Sequence, residues 1–253
     1  MSDASPQVVS DLAPTGKLRV GLNMSNFLLT RTDSSTGKPA GVAADLGGEL
    51  ARRLGVDIEL VPFPNPGALA DAAKTNVWDV AFLGAEPQRA NEIDFTAAYV
   101  EIEATYLVPA GSAVQRVEDV DRAGSRIAVP ERSAYELWLT RNIKNAQLQR
   151  IKGADAAFKH FVDQKCDALA GLRPRLLTDQ ANLPGSRILD GNFTAVQQAA
   201  GVPKGRSAGA RYLREFIEEA KETGLVAKTI EANGVKGLTV AAASRVQDEG
   251  GAE

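Results

Sequence analysis

The sequence predicts an α/β fold organised around parallel strands, and three observations lead there. Short apolar segments alternate with amphipathic helical ones along almost the whole chain, the arrangement that produces βαβ units. Residues 77–83 form a near-continuous apolar run, as in strands covered on both faces. The chain has 253 residues, 44% hydrophobic and 24% charged, which suffices for a substantial core in one or two domains.

The first strand spans residues 17–22, where Leu18, Val20 and Leu22 share a face and Gly16 punctuates the start. The loop Asn23-Met24-Ser25-Asn26-Phe27 follows, and a Thr/Asp/Ser/Gly/Pro cluster through Pro39 reads as an exposed excursion. Val42, Leu46, Leu50 and Leu54 recur every four residues, and Gly55 stands where a left-handed C-terminal cap belongs, which predicts a helix over 42–54. Residues 57–62 read as a strand, 66–75 as a short helix and 77–83 as the buried strand. After Gly111 the alternation resumes, with strands at 126–129, 147–151 and 166–172 and helices at 133–144, 154–163 and 174–182. A further extended segment covers 195–202. Helices follow at 207–223 and 225–233, the first with Leu213, Phe216 and Ile217 on one face. The leader 1–15 and the tail 244–253 are polar and expected to be disordered. No fixed-period repeat or low-complexity tract interrupts the pattern.

Several function classes fall away on composition. A formal net charge of −3 with scattered basic residues gives no footprint for a phosphate backbone, so nucleic acid is not an expected partner. Cys166 has no second cysteine to pair with, and with His160 alone beside it no Cys/His metal cluster can be assembled. No segment approaches the roughly 20 apolar residues of a membrane span. Walker A, dinucleotide-binding and Gly-x-Ser-x-Gly patterns are missing, so no cofactor is expected. Ser35-Thr36-Gly37-Lys38 has a Ser-x-x-Lys spacing, but Gly37 and Pro39 oppose the helix it would need. His160 lies opposite Phe158, Phe161 and Val162 on its helix and is expected to be solvated, and Cys166 reads as an inert buried thiol. The start Met1-Ser2-Asp3-Ala4-Ser5-Pro6 has neither the basic residues nor the apolar run of a secretory signal, so the expectation is either a removed signal or a cytoplasmic protein.

The stretch Trp78-Asp79-Val80-Ala81-Phe82-Leu83-Gly84-Ala85-Glu86-Pro87-Gln88-Arg89-Ala90-Asn91-Glu92-Ile93-Asp94-Phe95-Thr96 resembles family 3 extracellular solute-binding proteins, the polar amino acid receptors of ABC importers. A buried strand with an Asp near its start, a turn, an arginine and an Ile-Asp-Phe-Thr segment stand in the family's order. Gly16-Lys17-Leu18-Arg19-Val20-Gly21, Gly41-Val42-Ala43-Ala44-Asp45-Leu46 and residues 126–139 extend the resemblance over nearly the whole chain. The resemblance implies a two-lobed, periplasmic-binding-protein-like type II fold with a discontinuous lobe 1 and two hinge crossings. These are expected near residues 108–111 and 194–197, giving lobe 1 as 1–108 and 197–253 and lobe 2 as 109–196. It further implies a monomer that closes around a small carboxylate or amino acid, an ABC permease as partner, and a periplasmic location.

On the same resemblance Arg89 would hold the ligand's carboxylate, since a guanidinium presents a planar fork that fits one; by itself the residue could equally pair with Glu86 or Glu92 at the surface. Gly84 and Ala85 would offer backbone N–H groups beside it. Ser133 is a natural N-cap with Glu136 as capping-box partner, and the helix start at Ser133, Ala134 and Tyr135 could face a carboxylate. Asn23, Asn26 and Phe27 occupy the loop where the family supplies an acid and an aromatic wall; a polar loop with a buried Phe is the alternative. Tyr135 and Trp138 could line the cleft or belong to the core. The acids that hold a ligand's ammonium in the family are replaced here by Asn23 and Leu172, with Arg173 and Arg175 following. A carboxylate lacking an α-amino group, even one with two acidic groups, is therefore a candidate, unless Glu86 or Glu131 replaces the missing acid. The rival class is a dehydratase acting on cyclic carboxylates, with Glu86 or Glu131 as general acid; a cytoplasmic metabolite sensor is the third.

Overall fold

The computed structural model describes residues 4–243. Its first element is α1 (Pro6–Leu12), where an ordered helix replaces the disorder expected of the leader. Ser5 caps it, Pro6 pre-sets the first turn, and Val8 and Leu12, four apart, bury one face against a later helix. Residues 1–3 and the expected disordered tail, 244–253, lie outside the described residues.

Strand β1 (Lys17–Asn23) is followed by the two-residue strands β2 (Arg31–Thr32) and β3 (Pro39–Ala40), a small hairpin in the excursion. Next come α2 (Val42–Leu54), closed by Gly55 in the left-handed region as expected, β4 (Asp57–Phe63) and α3 (Pro66–Asp71). The helix expected over 66–75 tightens to a 3-10 turn at Ala72–Lys74. Strand β5 (Val80–Gly84) begins later than the apolar run does, because Asp79 is turned across to Arg19 and Arg206 and Trp78 sits in the core with its indole N–H on the Leu69 carbonyl.

The 16-residue β6 (Ile93–Val108) has no counterpart in the sequence reading. Beyond it lie β7 (Arg126–Pro130), α4 (Ala134–Asn142), β8 (Gln147–Ile151), α5 (Ala154–Asp163), β9 (Ala168–Leu172) and α6 (Arg173–Ala181). The chain ends in β10 (Arg187–Ile188), β11 (Thr194–Pro203), α7 (Ser207–Glu222), α8 (Leu225–Ala232) and β12 (Thr239–Val240).

These strands run in the order β4-β1-β5-β11-β6-β9-β7-β8, with β10 and β12 also paired to β6. Strands β1, β4 and β5 are mutually parallel, as are β7, β8 and β9, while β6 and β11 run antiparallel to their neighbours. Two lobes result. Lobe 1 buries Leu18, Val20, Leu46, Leu50, Phe216 and Ile217 on one sheet face, and Leu69, Trp78 and Leu83 on the other. In lobe 2, Ile127 and Val129 face one cluster and Ala128 the other, the alternation of a strand covered on both sides.

The antiparallel β6/β11 ladder joins the lobes. It runs from Pro203 opposite Ile93 to Thr194 opposite Ala104, and at Ala104 β6 already begins to pair with β9 of lobe 2. Chain from both ends builds lobe 1, which is discontinuous. His160 departs from the solvated position expected for it: it is half-buried, with Nε2 2.6 Å from Gln149 Oε1, while Val162 is exposed.

Candidate functional site

The strand ends of both lobes meet at a cavity of about 470 Å³. Its lobe 1 wall comes from the loop after β1 and from β5 and α3; its lobe 2 wall comes from the segment between β7 and α4. The loop after β1 is held by its own side chains. Thr30 Oγ1 donates to the carbonyls of Asn23 (2.7 Å) and Asn26 (3.0 Å), and the Oδ1 atoms of Asn23 and Asn26 accept from Ser25 N–H and Leu28 N–H.

Arg89 lies under this cavity at 6% exposure. Its Nη1 donates to the Gly84 carbonyl at 2.7 Å and its Nη2 to the Arg132 carbonyl at 2.9 Å, so one guanidinium touches both lobes. It has no carboxylate partner among the described residues. Burial pushes its pKa down to about 10, which leaves it charged at neutral pH. The charges of Glu86 and Asp71 favour the cation without outweighing its burial, and an incoming anion would relieve the remaining cost.

Helix α4 points its start at the same space. Ser133 Oγ accepts from Glu136 N–H (3.1 Å) and donates to the Pro130 carbonyl (2.9 Å). Glu136 Oε2 accepts from Arg132 N–H, one residue ahead of the cap that a regular capping box would engage. The N–H groups of Ala134 and Tyr135, the first two of the helix, have no acceptor among the described residues. Burial raises the Tyr135 hydroxyl to about 12, so it stays neutral.

Of the residues singled out from the sequence, Arg89, Gly84, Asn23, Asn26, Ser133, Ala134, Tyr135 and Leu172 line this cavity together. Three do not. Ala85 spends its N–H on the Gln197 carbonyl (2.8 Å), Glu86 is turned to Arg141 (2.5 Å), and Phe27, 50% exposed, lines a separate opening with Pro174 and Leu177. Glu131 and Asp71 also border the cavity; Asp71 is paired with Arg132 at 2.7 Å and Glu131 is exposed.

Sequence reasoning missed Arg132 and Gln198. Arg132 has a left-handed backbone (φ 58°), unusual for arginine, and its side chain crosses the cleft to Gly67 O and Asp71. Gln198 is 5% exposed, lines the cavity and has no side-chain partner among the described residues. It sits where the β6/β11 register shifts; Thr96 Oγ1 accepts from Ala200 N–H there. The adjacent pair Gln197-Gln198 in a strand of otherwise mostly small and apolar residues was its only sequence signal.

Comparison with known proteins follows the same lines. Residues 18–234 match the model of bacterial extracellular solute-binding proteins, family 3. No curated protein sequence matches this chain. Among solved structures, a mutant of ArgBP from T. maritima is 21% identical, covering 90% of this chain and 99% of its own at a TM-score of 0.73. An amino acid ABC transporter substrate-binding protein from Streptococcus pneumoniae, bound to L-arginine, is 22% identical over 88% of this chain and 96% of its own, with a TM-score of 0.71. The ancestral amino acid-binding protein AncCDT-1, a precursor of cyclohexadienyl dehydratase, is 23% identical over 89% and 98%, with a TM-score of 0.72. The fold is the two-lobed type II periplasmic-binding-protein fold. No helix of the described residues is long and apolar enough to cross a membrane.

Proposed function

The chain belongs to the bacterial extracellular solute-binding proteins, family 3, and from that premise we propose that its lobes close around a small carboxylate held by Arg89. The observation that carries this is the buried guanidinium at the cleft floor, bonded to a carbonyl of each lobe and to no carboxylate. An organic acid would neutralise it, while the free N–H groups of Ala134 and Tyr135 and the Gln198 amide stand ready for further oxygen and donor groups.

Closure turns on the β6/β11 ladder, and we draw the lobe division there, near Ala104 and within 194–197. Lobe 1 is then residues 1–104 with the chain after 197, and lobe 2 the part between. The protein acts as a monomeric receptor outside the cytoplasmic membrane, delivering its ligand to an ABC permease. Dehydratase chemistry finds little support: Glu86 is bound by Arg141 away from the cavity, and Glu131 lies at the solvent-exposed mouth.

A thermal-shift panel of amino acids, keto acids, dicarboxylates and neutral analogues tests the proposal. A carboxylate present at about 100 times its Kd should stabilise the protein by roughly 2.7 kcal/mol, and its amide or ester should not. Stabilisation by neutral analogues alone, or by no organic acid, would contradict it.

A further inference from the structure

We infer that the cavity is a donor array for an oxygen-rich organic anion without an ammonium group, a 2-oxo acid or a dicarboxylate; this rests on the carboxylate-capture reading above. Three asparagines line the cavity: Asn23, Asn26 and Asn65. In each, Oδ1 accepts from a backbone N–H, that of Ser25 (3.2 Å), Leu28 (3.3 Å) and Ala68 (2.8 Å) respectively. A backbone N–H can only donate, so the orientation of each amide is fixed. Asn23 Oδ1 also accepts from Ser25 Oγ and is saturated, and the three Nδ2 groups, which can only donate, have no protein acceptor among the described residues.

Arg89 adds donors and a positive charge, and the start of α4 adds two more N–H groups. Ser133 Oγ spends its one proton on Pro130 and accepts from Glu136 N–H, so what it can still offer is a single neutral lone pair and no charge. The carboxylates bordering the cavity are Asp71, committed to Arg132, and Glu131 at the exposed mouth. Lys152 lines the cavity too and has no ion pair among the described residues.

An α-ammonium is itself only a donor. Placed beside a carboxylate on Arg89, it would meet a guanidinium, amide N–H groups and only neutral acceptors such as the Gln198 amide oxygen, and lose its water without gaining an anion. A keto oxygen or a second carboxylate in that place accepts from the same groups.

Calorimetric titration of the full chain with matched pairs separates the two. L-Glutamate against 2-oxoglutarate, L-valine against its 2-oxo acid, and L-phenylalanine against phenylpyruvate share skeletons and differ at C2; succinate is the dicarboxylate probe. Where either member of a pair binds, the 2-oxo acid is expected to bind at least about tenfold tighter. Asn23→Asp keeps an acceptor for Ser25 N–H, so the loop retains its shape while an anion enters the cavity. It is expected to shift the pair ratio about tenfold or more toward the amino acid. An amino acid that binds more tightly than its 2-oxo partner, or an Asn23→Asp protein with an unchanged ratio, overturns the inference. Binding of amino acids alone would leave carboxylate capture standing while this inference falls; binding of no acid at all would remove both.

Discussion

Two glycines at the cleft face different neighbours, and the difference decides how each site tolerates a methyl group. A Cβ on Gly84 would lie 2.9 Å from the Ala134 Cβ across the cleft and 3.1 Å from Val196, atoms with no freedom to swing away. A Cβ on Gly67 would meet the Arg132 guanidinium at 2.7 Å, the far end of a flexible chain. Gly84→Ala should therefore prop the lobes apart and weaken ligand binding about tenfold, equivalent to ~1.4 kcal/mol of overpacking, while leaving the melting temperature of the empty protein nearly unchanged. Titration of that variant with the best ligand of the acid panel checks it; undiminished affinity would show that closure does not bring Gly84 and Ala134 together. At this scale the position of Arg89 beside the cavity was readable in the sequence, because turn, arginine and Ile-Asp-Phe-Thr stand in fixed order. Gln198 and Arg132 were not, since a side chain's aim across a cleft leaves no periodic trace.

Among the elements, α2, β8 and α5 fall where their apolar spacing and caps predict, because each packs one face against a sheet of its own lobe. Strand β6 escaped notice because it serves two lobes. Val100, Ile102 and Ala104 alternate inward against Glu101 and Glu103, but from Ala104 onward both faces are buried, so no single period describes it. Helix α1 escaped because seven residues carry only three apolar side chains, Val8, Val9 and Leu12. Val8 and Leu12 are buried, Val9 packs beside them, and Asp11 Oδ2 accepts from Gly209 N–H while the Asp11 carbonyl accepts from Arg206, whose guanidinium also reaches Asp79. The segment is thus fastened to the core of lobe 1. Leu12→Ala should destabilise the protein by about 2 kcal/mol or more, a drop of roughly 4–8 °C in Tm, with ligand affinity unaffected. A melting point within a degree of wild type would show that α1 adds nothing to the fold.

For the whole molecule, one set of contacts between lobes surrounds a single side chain, apart from a second set where Arg173 pairs with Glu103. Arg132 reaches Asp71 and Arg141 reaches Glu86 on either side of Arg89, whose two carbonyl partners belong to different lobes. The first of these pairs is half-exposed or more at both ends and contributes little by itself. The guanidinium is different, because it is buried and bonded to no carboxylate, and Glu86 and Asp71 favour its charge only through their field. Arg89→Met keeps an unbranched, flexible stem and removes the charge. Calorimetric titration of this variant with the best-binding acid, its fold checked by cooperative melting, measures what that charge does for the site. Affinity should fall at least about 100-fold, the scale expected when one partner of a buried charge pair is removed. An affinity within about threefold of wild type would contradict the account.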